Sequence, residues 1–254
     1  MFRRLRIAVL LSVLAFVAAA EFLAARRSTD WDETLWVNVY PVAADGADSA
    51  RAHVDTVSSA EFTDLERFFA EQARVRGLPL DMPFKLNVSK VAIAPPPSLA
   101  PDPSALDALV WSLRMRWIAA RLEWSNPAPD ADIVVLAVFH DDTSAVLDRS
   151  RALEKGLIVV ANLFASNGAR EQNQVVLAHE LLHTLGATDK YDPRTNQPLY
   201  PEGYADPDAR PRFPQTRAEL MAGRIPRSET EAVIPASLRA VVIGAATAHE
   251  IGWP

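Results

Sequence analysis

Cysteine is absent from the 254 residues, which excludes disulfides, thiolate metal sites and cysteine nucleophiles together. Any metal held by this chain must be held by nitrogen and oxygen. A basic stripe is absent too. The formal net charge is -6 with both signs interspersed, so nothing is arranged to neutralise phosphates and nucleic acid is not an expected partner. No internal repeat or low-complexity run occurs. What is present is a 49% hydrophobic composition, ample for a packed core in one sizeable domain.

The start of the chain, "MFRRLRIAVLLSVLAFVAAAEFLAARR", places Arg3, Arg4 and Arg6 ahead of an apolar run from Ile7 to Ala20. That order of charge and hydropathy is an export pattern. Small residues at Ala18 and Ala20 suit cleavage of a signal peptide, whereas Phe22 to Ala25 with Arg26 and Arg27 suit an uncleaved membrane anchor. Residues 1–27 are read as one or the other. Either way the rest of the chain is expected outside the cytoplasm, secreted or held at the periplasmic side of the inner membrane.

Periodicity then organises the remainder. "LWVNVYPVAADG" alternates as a strand and ends in the turn pair Asp45-Gly46. Ser58 and Glu61 are spaced as a capping box for a helix whose stop is Gly77, and residues 84–93 alternate as a second strand. After a loop with five prolines, Ser104 and Asp107 form another capping box. It opens a helix with Trp111, Met115, Ile118 and Leu122 on its apolar face. "ADIVVLAVFH" reads as a strand buried on both faces, residues 155–165 as another strand, and "REQNQVVLAHELLHTLGA" as a helix ending at Gly186. The expectation is an α/β fold, a mixed sheet packed with helices. One domain is expected over 33–254, dividing into 33–186 and an irregular C-terminal subdomain, 187–254, closed by a helix from about Pro235 to Ile251.

The chemistry concentrates in "HELLHTLGATD", residues 179–189. On a helix His179 and His183 project from one face and can share a cation, while Glu180, about 100° around, points beside it. That is the place of a general base acting on an activated water. Catalytic zinc takes three protein ligands and keeps one position open. Gly186 can adopt the left-handed conformation that ends the helix and turns the chain back, bringing Asp189 toward the histidines as third ligand. Asp192, Glu229 and Glu231 are rivals for that place. The group His140, Asp141 and Asp142 reads as a solvated strand end, and His53 and His249 read as structural.

The same stretch resembles the metzincin signature HExxHxxGxxH/D. Its aspartate ending is similar to the variant in snapalysin-like secreted bacterial metalloproteases. The resemblance implies a zincin-like α+β fold, one catalytic Zn2+ on His179, His183 and Asp189, and Glu180 as the catalytic base. It also implies Met221 as the residue of a methionine turn beneath the metal. The activity implied is hydrolysis of peptide bonds in a peptide or protein substrate, with the strand around "LIVVANLFA" as the edge that pairs with it. Where some metzincins carry a tyrosine two residues after the methionine, this chain has Gly223, so an oxyanion donor is expected elsewhere, among Tyr191, Tyr200 and Tyr204. Beside the peptidase stand two other readings, a non-proteolytic zinc-binding envelope protein and a zinc hydrolase of a non-peptide amide.

Overall fold

The structure is a computed structural model. It describes residues 28–254 except 45–46, 101, 127–129, 142–146, 148 and 155. The export segment, the Asp45-Gly46 turn and Asp142 lie outside the described residues. Among those described, no helix is long and apolar enough to cross a membrane.

Five strands form one mixed sheet. They are β1 (Leu35–Ala43), β2 (Phe84–Val88), β3 (Ile133–His140), β4 (Arg151–Leu153) and β5 (Ile158–Phe164), in the order β2-β1-β3-β5-β4. All neighbours are parallel except β4, which runs antiparallel along β5 at the edge. Alternation in β1 divides the two faces. Val37 and Val39 enter a large core with α1 (Asp48–Thr56), α2 (Thr63–Arg76) and α4 (Arg170–Thr184) nearby. Tyr40 and Val42 point the other way, to the core under α3 (Ala105–Ser125). β3 is buried on both faces, as its unbroken apolar run implies. Each large aliphatic side chain so buried contributes about 1.5–3 kcal/mol, which makes this sheet the stable frame of the molecule.

Local signals vary in how they are used. At Ser104 the capping box forms on both sides, with the hydroxyl accepting from Asp107 N and the Asp107 carboxylate accepting from Ser104 N. The expected box at Ser58 does not form. A 3-10 turn over Ser59–Phe62 intervenes, and Glu61 N bonds the backbone oxygen of Ser58 instead of its side chain. Gly77 ends α2 in the left-handed conformation at φ 76°. The second strand stops at Val88 rather than at 93, because the chain leaves the sheet there and packs Val91 and Ile93 into the α3 core.

Two further expectations are corrected. The strand around "LIVVANLFA" is β5, an interior strand, since residues 151–153 fold back on it and occupy the edge. The closing helix is only α5 (Ala245–Glu250). Upstream of it Val241 and Val242 pair in parallel with Ala218 and Glu219, and this short strand bond keeps the segment extended. Residues 187–254 otherwise hold strands of two residues each and 3-10 turns.

Candidate metal centre

α4 is aimed by polar anchors at its start. The Asn173 side chain spans the end of β5, donating to Phe164 O and accepting from Phe164 N, and Gln174 donates to Glu61 O. Leu177, Leu181 and Leu182 bury the inner face of the helix. The opposite face carries His179 and His183, edge to face with ring centroids 4.6 Å apart.

Gly186, at φ 93°, ends the helix. Gly186 N bonds His183 O and Ala187 N bonds Leu182 O, so the chain doubles back. Two clamps then fix Asp189 from either side. Thr188 donates twice to the Glu250 carboxylate, at 3.0 Å from its N–H and 2.8 Å from its hydroxyl. Lys190 donates its N–H to Met221 O at 3.0 Å, and its buried ammonium meets Glu250 Oε1 at 2.5 Å.

As a result Asp189 Oδ1 lies 3.2 Å from His179 Nε2 and 3.2 Å from His183 Nε2, and the two Nε2 atoms are 3.0 Å apart. The other nitrogen of each ring faces a carbonyl: His179 Nδ1 meets Leu220 O at 3.0 Å and His183 Nδ1 meets Ala187 O at 2.7 Å. Each Nδ1 must donate, so each Nε2 presents a lone pair. Three acceptors therefore converge on one point. A single proton can bridge one edge of this triangle and leaves the others repelling, whereas a cation at its centre satisfies all three. Donors around tetrahedral zinc are spaced by about 3.3 Å, given bonds of about 2.0–2.1 Å. The donor set and its spacing fit that ion.

The ionisation tendencies agree with a site made for positive charge. Burial pushes the Asp189 carboxyl up, but a proton shared with the His179 and His183 rings outweighs it and holds the group well below the usual carboxylate range. Burial pulls the His179 imidazole down, but Asp189 and the charge on Glu180 raise it on balance. Glu180 is buried beside them, and burial raises its carboxyl against the attraction of both imidazoles.

Met221 is fully buried in the turn Leu220–Ala222, whose carbonyls bind His179 through Leu220 and the Asp189 segment through Met221. One residue that sequence reasoning missed holds this turn. Glu219 is fully buried, accepts from Ala222 N at one oxygen, and takes Gly244 N and the Thr247 hydroxyl at the other. No local spacing betrays it, because its partners lie as far as 28 residues away. The same holds for Lys190 and Glu250, 60 residues apart.

Two clefts meet at His179 and Glu180. One, of about 530 Å³, runs along β4 past Arg151, Leu153 and the triangle. The other, of about 360 Å³, lies on the Met221 side with Val176, Leu220, Gly223 and Ile234 in its wall. Tyr191 lines both, and its hydroxyl is raised by burial and by the neighbouring Asp189. Tyr200 and Tyr204 are not in either wall. They pack edge to face at 5.4 Å, with the Arg212 guanidinium 3.9 Å over the Tyr200 ring. Asp192, Glu229 and Glu231 do not join the triangle; Asp192 accepts instead from Arg194 N in a loop turn. His140 bonds Asn162 at 2.7 Å. No protein-family model and no curated protein matches the chain.

Proposed function

We propose that this chain is a zinc-dependent metallopeptidase of metzincin type, with a zincin-like catalytic domain on the outer side of a membrane. The observation that carries the reading is the triangle of His179 Nε2, His183 Nε2 and Asp189 Oδ1, with both histidine tautomers set by carbonyls behind them. Zinc held there would supply Lewis acidity, lowering the pKa of water and polarising an acyl oxygen.

The protein groups divide the remaining work. The Glu180 carboxylate, whose proton affinity burial raises, takes a proton from the attacking water and returns it to the leaving nitrogen. Tyr191 is the tyrosine with access to the reacting centre, and a raised hydroxyl stays protonated and able to donate to an oxyanion. β4 offers its outer flank to an extended peptide in the larger cleft, in the manner of strand addition. Leu220 and Ala187 carbonyls hold the imidazoles in register throughout.

The direct test is metal analysis of the full chain and of His183→Ala. The expected result is about one zinc per chain, lost in the variant, together with cleavage in a peptide-library digest. Absence of bound transition metal from both proteins would sink the proposal. Zinc without peptide cleavage would leave the non-proteolytic or non-peptide amide reading in its place.

A further inference from the structure

α3 carries two apolar stripes, and the sheet uses only one. Trp111, Met115, Ala119 and Leu122 face the core. On the opposite side Leu106, Leu109, Val110, Leu113, Trp117 and Trp124 are exposed, Trp117 at 71% and Trp124 at 92%. At about 100° per residue these six fall within one stripe down the helix. Beside it runs an apolar groove of about 400 Å³ with Pro97, Val110, Leu113 and Trp117 in its walls and Arg114 at its border.

We infer that this outer stripe of α3 lies in the headgroup region of an anionic lipid bilayer, with the groove taking part of an acyl chain. Tryptophan and leucine on one face with arginine beside them is the composition of a helix lying in a membrane interface. The acidic residues of the helix are otherwise engaged: Asp107 in the cap of Ser104, and Glu123 with Asn38 and Tyr40 of the sheet. Arg114 and Arg121 are exposed along the border of the stripe.

The direction in which the chain leaves supports the same occupant. Ser28 begins the described residues at the end of the sheet where β1 and β2 start, with Trp31 packed on Phe84. α3 ends there as well, since Glu123 bonds Asn38 of β1. Trp36, on the α3 side of β1, is exposed at that end. The 27 residues that precede Ser28 contain the apolar run Ile7 to Ala20 flanked by five arginines. Those arginines would oppose packing of that run on a stripe bordered by Arg114 and Arg121, and they favour the same anionic lipid. The inference is independent of what the metal centre does.

Because cysteine is absent, one introduced thiol labels one place. Full-length Trp117→Cys and Leu113→Cys, each carrying an environment-sensitive fluorophore, are reconstituted in vesicles of phosphatidylcholine and phosphatidylglycerol. Val75→Cys, exposed on α2, is the control. The expected result is a several-fold emission gain at 113 and 117, quenched by nitroxides on the lipid tails, and neither effect at 75. Probes at 113 and 117 that behave like the probe at 75 would overturn the inference. So would an emission gain without lipid-tail quenching, or disulfide-linked dimers of the unlabelled Trp117→Cys chain under mild oxidation whether or not lipid is present, since both outcomes mean protein cover.

Discussion

The sheet half of the molecule and residues 187–254 are stabilised in different ways. Around β1, β3 and β5 the chain is held by repeated backbone pairing and by aliphatic side chains that are individually replaceable. Beyond Gly186 there is little regular pairing, and a few buried polar groups hold the path: Glu219 on the Met221 turn, Glu250 with Lys190, and Gln215 bridging Asp206 and Arg212. The first arrangement spreads its stability over many contacts. The second concentrates it, and the third corner of the triangle depends on it.

The largest expected effect leaves both halves folded. Glu180→Gln should lower peptide hydrolysis by roughly 10²–10⁴-fold, the range of general acid–base contributions, with zinc content unchanged; full activity in the metal-loaded variant would remove Glu180 as base.

Next come two variants that separate the halves. Leu136→Ala in β3 should cost about 2–5 kcal/mol of global stability while the folded fraction keeps its zinc affinity. Glu219→Ala should cost about 3–5 kcal/mol, because Ala222 N, Gly244 N and the Thr247 hydroxyl lose their acceptor. It should also weaken zinc binding in the fraction that remains folded. Denaturation curves with zinc titration measure both, and equal zinc affinity in the two variants would break the contrast.

Glu250 gives the pH dependence. Burial raises its carboxyl, but the Lys190 and Thr188 bonds outweigh this and hold it below its ordinary 4.5. A carboxyl depressed on folding contributes stability that is present above its unfolded value and lost as pH falls through the folded one. Thermal scans between neutrality and mildly acid pH should therefore fall less steeply in Glu250→Gln than in the parent chain. An identical slope would mean that this clamp does not link pH to folding.

The smallest pair concerns the tyrosines. Tyr191→Phe should reduce turnover about 10-fold or more through loss of a donor, and Tyr200→Phe should leave it unchanged, since Tyr200 packs on Tyr204 away from both clefts.

Those two halves also differ in how far they could be read from the letters. Ser104 with Asp107, the β1 alternation and the spacing of His179 and His183 are local signals, and the structure has a cap, a strand and a shared helical face at those positions. The Ser58 signal was local too, but a 3-10 turn answered it with backbone bonds. β4 is three residues long and has no period of its own. The Glu219 and Glu250 contacts span tens of residues, and nothing adjacent to either glutamate marks it as buried or bonded. The helix expected from Pro235 shrank because Val241 and Val242 found a strand partner.

One contact joins the two ends of the described chain. Trp31 donates its indole N–H to Ile251 O at 2.7 Å and packs against Trp253 at 5.5 Å, immediately after the Glu250 that fixes Asp189. During synthesis His179, His183 and Asp189 emerge well before residues 250–253. Until those residues are made, Asp189 has the Lys190 bond to Met221 but not the Glu250 clamp, and Trp31 has Phe84 but not Trp253, so the three donors are held on one side only. Full support of the site thus comes last in synthesis, and a chain cut short before residue 250 would have every proposed ligand but only one of the two clamps beside Asp189.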